Sequence, residues 1–389
     1  MIKTLRVKNY LSLRNLEIAL GLRNAVVGPN NAGKSNIIEV FRFMNKIAVS
    51  GLAAAVNERG GFAEILWKGV DDGEISFFIE CQMPVGEEEL PRTYQYELVL
   101  TGSAKIGIGT FSIERESLQR CDPQGNYTLA AFTGGRGQGL HPDGSIAFEQ
   151  KEMTLKSFLE YAVPGWEGMN IKNYIHFWRF YRLIPFAMRQ ANAISEQFYL
   201  NELGDNLSAW LLTLQTGYRE AYRRLEQAVI DNFPEIAEVL TPPTQVGTTF
   251  IQIRERYLKR PVNLWKISDG ALQLLALLSL LYAPRKLGAA LYCLEEPENH
   301  LHPRILEILM ELLQQRHQEV GPHAAQVIAT THSPYLVDLF DIDDLLAVKK
   351  EKGETLCFRP REKEHLRKLL QDGELDLSDL WYTGVLAER

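Results

Sequence analysis

Apolar and polar residues alternate over residues 2–9 (Ile-Lys-Thr-Leu-Arg-Val-Lys-Asn), the pattern of a strand with one buried face. Residues 16–20 repeat it, and 23–27 (Arg-Asn-Ala-Val-Val) form a shorter, more apolar strand that runs into a glycine-rich turn. Beyond the turn the period becomes helical over 35–48, where Ile37, Ile38, Val40, Phe41 and Met44 share a face. Strand patterns return at 75–81 and 94–100. Between Cys121 and Ser145 the chain is dense in Gly, Pro, Asn and Asp, which predicts an exposed loop or a partly mobile insertion. Over 205–230, residues Leu207, Trp210, Leu211, Leu214, Tyr218, Tyr222, Leu225 and Val229 recur at intervals of three and four, predicting one apolar helix face. Pro242-Pro243 closes that section. From 249 onward strand and helix patterns alternate, as in a parallel sheet with helices on it.

Composition narrows the class. The chain has 389 residues, 46% apolar and 23% charged, which excludes a disordered chain or a fibre and leaves material for one large or two ordinary domains. Lys and Arg number 42 against 49 Asp and Glu, a net charge of −7, so the chain as a whole is no nucleic-acid coat, although a local basic patch is compatible with it. Cys81, Cys121, Cys293 and Cys357 are far apart and form no CxxC pair, which fits a reduced cytoplasm. Residues 1–20 lack the continuous apolar core of a signal peptide, and the longest apolar stretch, 271–283, is too short to span a bilayer. A cytoplasmic protein without a membrane partner is expected.

Residues 28–35, Gly-Pro-Asn-Asn-Ala-Gly-Lys-Ser, fit the pattern GxxxxGK[ST] between the third strand and the first helix. Gly28 and Gly33 let the backbone curl, so that N–H groups along Asn30, Asn31, Ala32 and Asn36 can face phosphates. Lys34 supplies a point charge to the β and γ phosphates of ATP, Ser35 a hydroxyl to Mg²⁺, and the helix its positive end. Residues 289–296 form an apolar strand that ends in Glu295 and Glu296. A carboxylate there can hold Mg²⁺, and a second can orient the attacking water. Residues 326–334 form another apolar strand ending at His332, which could sense the γ-phosphate. Ser268 reads as the N-cap of a long apolar helix, with Asp269 and Gly270 in its first turn. Such a start is also an anion site, whose natural ligand would be the nucleotide of a partner copy.

The order of the four motifs, P-loop, Ser-Asp-Gly-Ala-Leu-Gln, Leu-Glu-Glu-Pro-Glu-Asn-His-Leu-His-Pro and Thr-Thr-His-Ser-Pro, resembles the ABC-class ATPase heads of the RecF, SMC and OLD group. The resemblance implies an α/β fold in which antiparallel N-terminal strands and a parallel sheet with flanking helices carry a compact β/helical insertion. It assigns residues 1–100 and 245–389 to the head and 101–244 to the insertion. It also implies a head-to-tail homodimer around two ATP molecules, in which Ser268 and Gly270 of one copy face the other's P-loop. Glu296 matches the catalytic carboxylate, Glu295 the Mg²⁺-side acid, His332 the switch histidine, and Asn299 the loop crossing to the other subunit.

The signature reads Ser-Asp-Gly rather than Ser-Gly-Gly, and the Mg²⁺-side acid is Glu rather than Asp. Gln82 is the candidate for the glutamine that couples Mg²⁺ to the insertion. Lys34 and Ser268 lie under 240 residues apart, too few for an SMC coiled coil and too many for a transporter subunit. Only 57 residues follow His332, too few for the nuclease domain of OLD proteins, and Asp338, Asp341, Asp343 and Asp344 read as a solvated turn. The relatives act on DNA. Here Arg179 and Arg182 among aromatics, Arg219, Arg223 and Arg224 on one helix, and Arg254, Arg256, Lys259 and Arg260 could bind a nucleic-acid backbone or pair with the acids. The expected function is an ATPase whose dimerisation regulates a DNA-directed repair or defence activity. The alternative is an ATP-switched module that assembles with a separately encoded nuclease or other effector.

Overall fold

The computed structural model describes residues 1–83, 91–123 and 125–360, and the chain divides into two compact units. The first comprises residues 1–178, 326–334 and 340–360 among those described. Its larger sheet has eight antiparallel strands: β1 Ile2–Tyr10, β2 Leu13–Ala19, β4 Asp72–Met83, β5 Arg92–Ser103, β6 Thr110–Asp122, β7 Gly125–Thr133, β8 Arg136–Leu140 and β9 Ile146–Gln150. They lie in the order β2-β1-β4-β5-β6-β7-β8-β9. The predicted alternation holds: Leu5, Val7, Ile75, Phe77 and Ile79 are fully buried. Helix α1 Lys34–Ser50 buries Ile37, Ile38, Phe41, Phe43, Met44 and Ile47. The rings of Tyr10 and Phe43 each stand about 5 Å from Phe77.

The described residues of 121–145 correct the sequence reading of a loop, for most of them lie in strands β6, β7 and β8. Gly134 and Gly135, both at positive φ (59° and 72°), make the two-residue turn that pairs Thr133 with Arg136. Gly137 and Gly139 lie within β8, where a Cβ would strike the Ala131 carbonyl and the Phe148 ring respectively. Close approach between strands, rather than mobility, is what requires glycine there.

The second sheet of this unit carries the phosphate-loop motif. β3 Arg23–Val27 lies between the parallel strands Gln326–Thr331 and Leu345–Glu351, and Glu354–Phe358 completes the hairpin with the latter. In register, Val27 stands opposite Thr331 on one side and Ala347 on the other.

The second unit comprises residues 179–325 and 335–339. Helices Leu207–Gly217, Arg219–Asn232, Asp269–Leu281 and Pro303–Val320 surround an apolar core that includes Trp210, Leu214, Leu225, Leu275 and Leu278. The Trp210 indole N–H donates to Ser279 Oγ at 2.9 Å, which satisfies two buried polar groups. The single helix expected over 205–230 is broken at Tyr218 (φ −134°, ψ 55°), directly after Gly217. Glycine is a poor helix former, and the two halves still share one core. Among the described residues no helix is long and apolar enough to cross a membrane.

Candidate functional site

The loop Gly28–Ser35 leaves the carboxyl end of β3 and opens α1, the position where open α/β sheets bind ligands. A Cβ on Gly28 would stand 2.5 Å from the Val348 carbonyl oxygen. Gly33 has φ +102°, and a Cβ there would collide with the Thr355 side chain. Asn31 is also left-handed, at φ +64°. The Lys34 side chain is buried against its own loop, with Nζ donating to the carbonyls of Gly28 (2.7 Å) and Pro29 (3.1 Å), while Ser35 is exposed. No side chain caps α1, and the Asn36 and Ile37 N–H groups bond the Gly33 carbonyl at 3.1 and 3.3 Å.

A network of one proton direction holds the back of this loop. Asn36 Nδ2 donates to Ser12 Oγ at 2.6 Å, Ser12 and Thr355 hydroxyls are 2.5 Å apart, and Thr355 Oγ1 donates to the Ala32 carbonyl at 3.1 Å. Thr355 has one proton, and it is committed to Ala32, so Ser12 must donate to Thr355. The sequence reading missed Ser12 and Thr355; no local pattern marks them, because the fold alone brings them to the loop.

His332 follows the strand Gln326–Thr331 directly, so it emerges at the same sheet end as Gly28, one strand away. Gln82 does not. It lies in β4 where its N–H bonds the Met1 carbonyl, and the neighbouring Ile2 bonds Gln326, at the opposite end of that strand. Gln82 is therefore no partner of the phosphate loop.

In the second unit the strand Leu291–Glu295 delivers Glu295 and Glu296. Glu296 has φ +47° and His300 φ +68°, conformations that are costly for side chains of this size and persist where the surroundings enforce them. Asn299 Nδ2 donates to Glu296 Oε2 at 3.1 Å, and its N–H bonds the Glu296 carbonyl at 3.1 Å, so 296–300 is one tight turn. Ser268 caps the helix Asp269–Leu281, as the sequence predicts, by accepting from the Ala271 N–H at 3.2 Å. Gly270 is required: a Cβ there would stand 2.8 Å from the His300 carbonyl. The signature and the turn after Glu296 are thus packed against each other.

The other sequence candidates distribute differently. Of the aromatics around Arg179 and Arg182, Trp178 and Tyr181 are core residues, while Phe177 is exposed. Arg224 pairs with Glu220 at 3.3 Å and Arg254 with Glu238 at 3.4 Å, while Arg219, Arg223, Arg256, Lys259 and Arg260 are exposed. Asp341 and Asp344 pair with Arg23 at 3.1 and 3.0 Å.

Residues 175–338 match the AAA_21 family, described as "AAA domain, putative AbiEii toxin, Type IV TA system". The SMC head domain from Thermotoga maritima is 16% identical, with a TM-score of 0.47 over 92% of this chain and 98% of that one. An SMC head bound to the C-winged helix domain of ScpA is 14% identical, with a TM-score of 0.53 over 93% of this chain and 99% of that one. The fold is that of an SMC head domain. No curated protein matches it in sequence.

Proposed function

We propose that this head is a Mg²⁺-dependent ATPase whose ATP-driven head-to-tail dimerisation regulates a DNA-directed activity of the repair or anti-phage defence type. The loop Gly28–Ser35 carries the reading. Its backbone has no room for a side chain at Gly28 or Gly33, its lysine is held against it, and its serine is exposed at the open start of a 17-residue helix. Gly28, Asn30, Asn31, Ala32, Gly33 and Asn36 would cradle the phosphates, with Lys34 as their point charge.

Mg²⁺, which Ser35 and Glu295 would hold, neutralises charge on the β and γ oxygens when bound. Glu296 orients a water and takes up its proton. The water oxygen bonds to the γ-phosphorus as the bond to the bridging oxygen breaks, leaving ADP and phosphate. His332 responds to the γ-phosphate. Ser268 and Gly270 face the nucleotide of the partner copy.

The family description, a toxin of a Type IV TA system, supports a defence setting. The second reading is an ATP-switched module that assembles with a separate effector, turns over slowly and binds no DNA; the SMC head bound to a domain of ScpA supports its assembly with a separate protein. Phosphate release with and without linear duplex DNA separates the two. The first reading expects DNA to raise a rate that Lys34→Ala abolishes by removing ATP binding. A rate indifferent to DNA overturns it in favour of the second.

A further inference from the structure

Asp269, the departure from the Ser-Gly-Gly pattern, is the most heavily engaged residue of the signature. Arg189 follows the short helix Pro185–Met188 and forks across the start of the helix Asp269–Leu281. Its Nη1 donates to Asp269 Oδ1 and its Nη2 to the Ile267 carbonyl, both at 2.5 Å. These two acceptors bracket Ser268. On the other side His300 Nδ1 stands 3.8 Å from Asp269 Oδ2, and the His300 carbonyl closes over Gly270. One turn further on, the buried Gln273 donates to the Pro297 carbonyl at 3.4 Å. The signature is therefore gripped between Arg189 and the turn that begins at Glu296.

Asp269 is half exposed, so this ion pair adds little to global stability. What a planar guanidinium with two fixed acceptors does supply is direction. Two bonds spaced on either side of the cap set the rotation of the helix end in a way that the Ser268 cap, a single bond, cannot.

We propose that Arg189 is a positioning residue for the nucleotide-facing end of this helix. With Asp269 it aims Ser268 and Gly270 at the partner copy's nucleotide, and through His300 it ties that end to the turn carrying Glu296. The inference rests on the dimer reading above.

The test uses Glu296→Gln as parent, which holds ATP without turnover. Sedimentation gives its ATP-dependent dimer, a fluorescent ATP analogue gives nucleotide affinity, and hydrogen exchange over 264–274 is followed without nucleotide. Arg189→Ala should leave nucleotide affinity within about twofold, weaken the dimer by about tenfold or more, and speed exchange at 267–272 with the melting temperature nearly unchanged. Arg189→Lys, which cannot fork, should recover only part of the dimer. Unchanged dimerisation with unchanged exchange overturns the proposal. So does a dimer loss that merely follows a lowered melting temperature and that Arg189→Lys does not relieve. A parent that binds ATP yet stays monomeric contradicts the dimer reading itself, and the exchange result then decides the role of Arg189 by itself.

Discussion

Thr355 shapes the phosphate loop twice, once as the wall that leaves room only for glycine at position 33 and once as the donor that fixes the Ala32 carbonyl. Thr355→Val keeps the wall and deletes the donor, leaving the Ser12 hydroxyl and the Ala32 carbonyl short of a partner. Such a loss costs about 1–3 kcal/mol, so thermal unfolding should shift downward and the ATP affinity of the variant should fall with it. Unaltered affinity on titration would show that the loop holds its shape without this bond. The loop motif was legible because its pattern lies within seven consecutive positions, Gly28 to Lys34, between a strand and a helix. Thr355 was not legible, since it reaches Ala32 from 323 residues away along the chain. Arg189 was likewise invisible, one arginine among many until the fold set it beside Asp269.

Between elements, a short strap pins the eight-stranded sheet. Glu116 of β6 is fully buried and accepts from Tyr96 Oη at 2.9 Å, from the Phe158 N–H at 2.9 Å and from Ser157 Oγ. Ser157 and Glu160 cap the same turn reciprocally, and Glu160 also accepts from the Leu52 N–H at the start of α2 Leu52–Asn57 at 3.1 Å. Burial pushes the Glu116 carboxyl up to about 7 in spite of its donors. The folded state therefore holds a proton that the unfolded chain releases near its ordinary value of 4.5. The stability from that proton is complete below pH 4.5 and is lost as pH rises through about 7, a change on the order of 3 kcal/mol. Glu116→Gln, neutral throughout, should flatten the fall in melting temperature across this window. A variant whose pH profile parallels the wild type would remove Glu116 from the account.

At this scale the periodic elements, β1, α1 and the helix capped by Ser268, follow from apolar spacing. The strands of 121–145 were hidden because the glycines that composition reads as loop serve tight turns and close strand contacts. The break at Tyr218 was hidden because both helices face one core, and that keeps the apolar spacing in phase across it.

For the whole molecule, four motifs in a fixed order foretold the class of fold, since each sits at a strand end or helix start that this architecture repeats. Partners left no comparable mark. With a net charge of −7 and several arginines already paired to acids, charge does not single out a nucleic-acid surface. If DNA stimulates turnover through the exposed cluster Arg256, Lys259 and Arg260, the stimulation should fade steeply with added salt, and replacing all three by Ala should remove it while leaving the DNA-free rate intact. Stimulation that survives both changes would exclude this cluster as the DNA surface. The central claim, that Glu296 drives ATP hydrolysis in this head, is tested most directly by phosphate release from ATP and Mg²⁺ with wild type and Glu296→Gln side by side. The variant should still bind ATP while its turnover falls by about 100-fold or more. Turnover by Glu296→Gln at the wild-type rate would contradict it.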